Sequence, residues 1–336
     1  MSLPELKVCP STLQPGFDTY SPTAKLALFG SRTKKVSHVL SFGPPGRNPE
    51  LTRAFNEKRK TISISGVQEK YSLRLEKKTL ILTSTKGTHI LKPVPTDRLE
   101  RITDMPANEH LTMQIARQVF KIKTAACGMI FFDDGSPAYI TKRFDYKPDG
   151  SKYQVEDFAT LMGKSPEKEG IDFKYNASYA DMAGLIKQYA PAATVELINF
   201  FRIVLFNYLF GNGDAHLKNF SLMESEQGDY LLAPAYDLLC TALHINDADL
   251  AMHNGLYTGD HEEPGFSKYG FYSGQSFLAF AEQIGVRASI ARQIIFESIN
   301  SLQPALALID RSFLTQEAKE TYKLIVRDRY RRIQPL

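Results

Sequence analysis

Residues 211–219 read Gly-Asn-Gly-Asp-Ala-His-Leu-Lys-Asn, and Asp237 follows eighteen residues after Asn219, within Ala235-Tyr236-Asp237. An acid, an amide five residues later and a second acid beyond it is the spacing of a phosphoryl-transfer centre. In such a centre the first acid takes a hydroxyl proton, and the amide and second acid hold Mg²⁺ on ATP. The spacing therefore predicts a kinase. Asp214 would be the base, and Asn219 and Asp237 the hard oxygen ligands of Mg²⁺. Lys218 would neutralise charge on the transferred group. His216 and Tyr236 are counted with the nucleotide-binding residues, His216 as an orienter of the loop. A metal role for His216 is disfavoured, since no second His lies at ligand spacing.

With 18 Asp and 11 Asn in 336 residues, Asp-x-x-x-x-Asn arises by chance about 0.6 times, so context decides. The run from Val195 to Phe210 is strongly apolar with helical spacing, and Gly211 and Gly213 then permit a tight turn. Polar groups crowded onto a loop that springs from a buried helix suit chemistry on a rigid support. The alternative is a polar surface turn with Asp214 as a cap.

The elements that must position these residues are legible in outline. At 336 residues, 43% of them hydrophobic, the chain can build a core of two subdomains. Neither an eighteen-residue apolar run nor a signal-like start is present, and the three cysteines (Cys9, Cys127, Cys240) are scattered. These features predict a protein of a reducing cytoplasm without a membrane span. The net charge of +4 is uneven: residues 1–60 carry ten basic against four acidic side chains. That modest excess, like the tail Arg327–Arg332, is read as solvated surface.

Residues 1–60 are rich in Pro, Gly, Ser and Lys with little periodicity, which predicts an irregular, partly mobile basic arm. Strand patterns follow at Tyr71–Leu75, Thr79–Thr83 and His89–Lys92, then a helix over Ala107–Phe120. A hairpin is expected next, from Met129–Phe132 through Asp133-Asp134-Gly135-Ser136 to Ala138–Thr141. Beyond Phe144 the chain reads as mainly helical. Helices are expected near 155–163, 178–189, 193–210, 274–284, 287–299, 303–310 and 315–333, with a long loop over 244–272. The expected fold class is α+β: a bilobal, protein-kinase-like fold with a small β-rich N-lobe at 61–145. A larger helical C-lobe would occupy 146–336, with ATP at the junction.

Three further pieces would bind ATP. Thr61–Lys70 holds a small-residue turn whose backbone N–H groups could cradle phosphates, with Lys70 adding charge; a plain strand turn fits equally. Lys92, ending an apolar strand, matches the lysine that grips α/β-phosphates and pairs with a helix glutamate, here Glu109. Glu109 would otherwise only complement the positive end of its helix. Lys142, Arg143 and Phe144 close the last strand, where backbone groups could hydrogen-bond adenine and Phe144 offer an apolar face.

With these residues in place, the chain resembles the HipA-like family of bacterial serine/threonine kinase toxins. Ser63-Ile64-Ser65-Gly66-Val67-Gln68-Glu69-Lys70 is similar to that family's phosphate loop, Ser-x-x-Gly-x-Gln-x-Lys. His89–Pro93 resembles its ATP-lysine strand, Asn108-Glu109 its helix start, and Lys142–Asp145 its hinge. Residues 211–219 resemble its catalytic loop, and Tyr236-Asp237 its metal-binding acid. Only about sixty residues precede the phosphate loop, fewer than in full-length members. This is similar to the shorter HipT-type branch, in which a separate small protein supplies the missing N-terminal subdomain.

The resemblance implies ATP and Mg²⁺ as cofactors and places Ser65, Gly66, Val67, Gln68, Glu69 and Lys70 at the phosphates. It implies autophosphorylation on Ser63 or Ser65, where a phosphate's charge of about −1.5 to −2 would oppose nucleotide binding. It further implies a protein substrate, typically an aminoacyl-tRNA synthetase, and a helix-turn-helix antitoxin as partner. DNA would be reached only through that partner, and action in another cell is left open. Two rival readings stand beside this one: a small-molecule phosphotransferase, and a pseudokinase that acts by partner binding or co-repression.

Overall fold

The computed structural model describes residues 5–45, 69–96, 99–147 and 149–334. The chain divides into two compact units. The first is formed by residues 1–114, 125–144 and 308–319, the second by 115–124, 145–307 and 320–336.

The first unit is built on a five-stranded antiparallel sheet. Its strands are β1 (Tyr71–Glu76), β2 (Thr79–Leu82), β3 (His89–Pro93), β4 (Cys127–Phe131) and β5 (Pro137–Lys142), in the order β2-β1-β3-β5-β4. Alternation of apolar residues sets the register: Leu73 pairs with Leu82, Leu75 with Leu80, and Tyr71 with Leu91. The β4–β5 hairpin closes as the sequence predicts. Gly135 takes φ 87° in its turn, and Asp134 Oδ1 accepts from the Ser136 N–H at 2.9 Å.

The N-terminal residues depart from the expected irregular arm. Ser21 caps a helix at Pro22–Phe29, and Cys9, Tyr20, Leu28, Val36 and Leu40 are buried in one core with Leu73, Leu91 and Ile140. The segment also covers β4, which is an edge of the sheet. Met129 N–H donates to Pro10 O at 2.6 Å, Phe131 N–H to His38 O at 2.8 Å and Leu40 N–H to Phe131 O at 2.8 Å. An edge strand left open is a template for unwanted pairing, and this cover satisfies it. Periodicity does not reveal such a segment, because its apolar residues are buried as separate anchors rather than along one face.

In the second unit the helix Ala193–Leu209 is buried along most of its length, as an all-round apolar helix should be. It packs on the helix Tyr179–Tyr189, while Phe200 lies edge-on to Phe220 at 5.4 Å and Phe201 stacks on Phe280 at 6.0 Å. Helices at Gly274–Gln283 and Ala288–Asn300 follow in this unit, and Leu302–Arg311 and Gln316–Ile333 contribute residues to both units, all close to the expected bounds.

Residues 155–163 differ from the expected helix. Val155–Asp157 forms a strand, β6, in a second antiparallel sheet with β7 (Ser221–Glu224) and β8 (Tyr230–Leu232). Only Phe158–Leu161 is helical, capped by Asp157, whose Oδ1 accepts from the Thr160 N–H at 2.9 Å. The strand's partner lies more than sixty residues away, so no local pattern announces it. The expected 244–272 loop also holds a short helix, Pro264–Tyr269, between the Glu263 cap and Gly270 at φ 72°.

Candidate active site

Residues 211–219 leave the buried helix through two glycines, each required. Gly211 has φ 62° and lies against Ile325, Ala242 and Cys240. At Gly213 a Cβ would sit 2.4 Å from the Ala248 carbonyl oxygen and 2.5 Å from Asp247 Cγ, so no larger residue fits. The loop is then clamped. Gly213 N–H donates to Thr241 Oγ1 at 2.8 Å, and that hydroxyl donates to Gly211 O at 3.1 Å. Asn212 extends the clamp: its Nδ2 donates to Asn207 Oδ1 at 2.8 Å, and its Oδ1 accepts from the Asp214 N–H at 3.2 Å. Asn207, Asn212 and Thr241 escaped the sequence analysis, although a polar Asn207 inside so apolar a helix is a signal that could have found one of them.

The clamp leaves the Asp214 side chain 44% exposed while His216 beside it is buried, with Nε2 3.8 Å from Asp214 Oδ1. Burial, then the Lys174 charge, push the His216 pKa down to about 3, so its ring is neutral at physiological pH. The backbone of His216 does the orienting: its N–H donates to Asn219 Oδ1 at 3.0 Å, and its carbonyl accepts from the Asn219 N–H at 2.9 Å. Tyr236 turns its hydroxyl into the loop, donating to Lys218 O at 2.9 Å, with Ser221 Oγ 2.6 Å away. Lys218 Nζ lies 3.8 Å from Asp157 Oδ2.

Asn219, Tyr236 and Asp237 border one small hollow together with Asn207 and Asn212. Its free volume of about 10 Å³ is room for about one water. Asn207 Nδ2 has no hydrogen-bond partner among the described residues, which suits such a water. Asp237 holds φ 55°, a left-handed conformation that a non-glycine residue keeps only when its surroundings impose it, commonly at functional sites. An amide oxygen and a carboxylate are the donor set Mg²⁺ prefers, and one lone pair of Asn219 Oδ1 is left after its bond to His216. The donor chemistry fits the ion.

In the first unit Lys92 and Glu109 meet as the sequence predicts. Lys92 Nζ donates to Glu109 Oε1 at 2.6 Å, with the two side chains only 4% and 1% exposed. The ammonium also lies 5.4 Å from the centroid of the Tyr139 ring, its cross-strand neighbour. Lys142 ends β5, and the Arg143 N–H donates to Thr88 O at 2.9 Å beside Phe144. Of the predicted phosphate loop, Glu69 and Lys70 are described, and Glu69 Oε2 accepts from the Tyr71 hydroxyl at 2.5 Å. Ser63, Ser65, Gly66, Val67 and Gln68 lie outside the described residues.

The sequence matches the model of the HipA-like C-terminal domain family over residues 62–306. That span covers most of the chain, and the chain belongs to this family. A Haemophilus influenzae protein named "Putative kinase" is 28% identical over 291 residues, covering 80% of this chain and 83% of its own. A Sinorhizobium fredii relative named "Putative kinase Y4dM" is 33% identical over 208 residues, which is 57% of this chain and 48% of the relative. Among solved structures, the Shewanella oneidensis HipA toxin, in complex with HipB and operator DNA, superposes with a TM-score of 0.62 at 20% identity. The match covers 81% of this chain and 65% of that one, and it shows a shared α+β fold. No helix among the described residues is long and apolar enough to cross a membrane.

Proposed function

We propose that the protein is an ATP- and Mg²⁺-dependent protein serine/threonine kinase. The observation that carries this reading is the clamped loop: it leaves the Asp214 carboxylate accessible while Asn219 and Asp237 border one hollow. Asp214 accepts the proton of the acceptor hydroxyl as its oxygen attacks the γ-phosphorus, and ADP departs. Bound at Asn219 and Asp237, Mg²⁺ would supply charge neutralisation on the phosphates. Lys92, held in place by Glu109, grips the nucleotide, and Lys218 offsets charge on the transferred group. His216 and Tyr236 serve the nucleotide indirectly, by fixing the backbone that carries Lys218 and Asn219.

The family supports a wider role. We infer a cytoplasmic growth-arresting toxin whose substrate is a component of translation, with an aminoacyl-tRNA synthetase as the leading candidate. A helix-turn-helix antitoxin, which brings DNA only indirectly, and a separate small subunit are its proposed partners. Self-phosphorylation on Ser63 or Ser65 would switch it off by placing like charge where the phosphates of ATP bind.

The test is transfer from labelled ATP·Mg²⁺ to lysate proteins by wild type and Asp214→Gln side by side. A labelled band absent with the variant supports the kinase and yields its substrate by mass spectrometry. Equal labelling by both proteins would overturn the role of Asp214, and ATP binding with no labelling at all would favour a pseudokinase.

A further inference from the structure

Asp214 has a neighbour that the motif does not contain. The hydroxyl of Tyr175, thirty-nine residues earlier, donates to Asp214 Oδ1 at 2.6 Å. Tyr175 ends the short 3-10 turn Phe173–Tyr175, and its ring is held on two sides. It stands edge-on to His216 at 5.3 Å and lies tilted on His253 at 5.7 Å. His253 is itself fixed, its Nδ1 2.9 Å from Asn176 Oδ1 and its N–H donating to the Tyr175 carbonyl at 2.9 Å. The phenol is therefore placed by packing rather than by chance rotation. Burial, followed by the bond to Asp214, raises its pKa, so it is a proton donor throughout the physiological range.

A half-exposed aspartate would otherwise sample several rotamers, and only some present an oxygen to an incoming hydroxyl. We propose that Tyr175 is a positioning residue for phosphoryl transfer, its hydroxyl holding the Asp214 carboxylate in the orientation that accepts the acceptor's proton. This rests on the reading of Asp214 as the base. Neutral His216 contributes shape to the arrangement and no charge. The phenol and the acceptor hydroxyl are compatible, because an ionised carboxylate offers about four lone-pair sites.

The experiment uses the full chain and [γ-³²P]ATP·Mg²⁺, with lysate proteins as acceptors. It compares wild type, Tyr175→Phe, Asp214→Asn and the double variant, and follows each protein's melting temperature. Tyr175→Phe keeps the ring and loses only the hydroxyl. Loss of one charge-assisted bond predicts a maximal rate about tenfold lower or less, with KM for ATP and melting temperature unchanged. The double variant is expected to be no slower than Asp214→Asn alone, since the hydroxyl acts only through that carboxylate. An unchanged or faster rate in Tyr175→Phe, with Asp214→Asn inactive, would overturn the positioning role and leave the base assignment standing. Wild-type rates in Asp214→Asn would overturn both. A slower Tyr175→Phe whose ATP affinity or melting temperature falls in step would show a structural role instead.

Discussion

The two units hold the charged residues of the candidate site in opposite ways. Lys92 and Glu109 are sealed, with side chains 4% and 1% exposed and 2.6 Å apart. Asp214 is 44% exposed, and the Lys218–Asp157 pair, at 3.8 Å, is about a quarter exposed on each side. A buried pair is costly to break, because removing one partner strands the other's charge in a poor solvent. Such a pair fixes the lysine in one place. An exposed carboxylate on a rigid loop is instead available to a partner that comes and goes. The contrast teaches that rigidity at Asp214 comes from the backbone clamp of Thr241 and Asn212, with Tyr175 on the side chain, rather than from burial.

Four measurements would break or sharpen this comparison. The largest effect is expected at the open end: Asp214→Gln should lower phosphate transfer by about 10²–10⁴-fold, the usual share of a general base, with ATP affinity retained. A wild-type rate in that variant would remove the base from the argument. At the sealed end, Glu109→Ala leaves Lys92 buried without its carboxylate and should destabilise the fold by about 3–5 kcal/mol, read from urea unfolding. A cost below about 1 kcal/mol would mean that the pair behaves like a surface one.

Acidification probes the histidines of both units. Burial depresses the folded pKa of His89 and His110 to about 4 and of His216 to about 3, from 6.5. The unfolded chain then binds protons that the folded chain refuses, so stability is full above about pH 6.5 and declines as pH falls. Each group should contribute a slope approaching 1.4 kcal/mol per pH unit between its two pKa values. A urea midpoint that stays constant from about pH 7.5 to 5 would contradict their burial as neutral rings. The smallest effect belongs to Asp157→Ala: loss of the exposed partner of Lys218 should cost less than about 1 kcal/mol, apart from its cap on Phe158–Leu161. A larger loss that Asp157→Asn restores would assign the effect to the cap.

By itself the sequence determined what is local. It carried the strands from Tyr71 to Pro93, the β4–β5 hairpin, the apolar helix with its glycine exit, and the spacing of Asp214, Asn219 and Asp237. Alternation, helical period and turn residues are written within a dozen neighbours, and the Lys92–Glu109 pair followed from one strand end and one helix start. The tertiary structure alone decided what depends on distant partners. Pairing with β7 makes Val155–Asp157 a strand, and cover of β4 gives the N-terminal residues their place in the core. Thr241 reaches back to Gly213, and Tyr175 forward to Asp214. A contact across tens of residues leaves no period in the chain, because its free energy comes from surfaces and hydrogen bonds that meet only after folding.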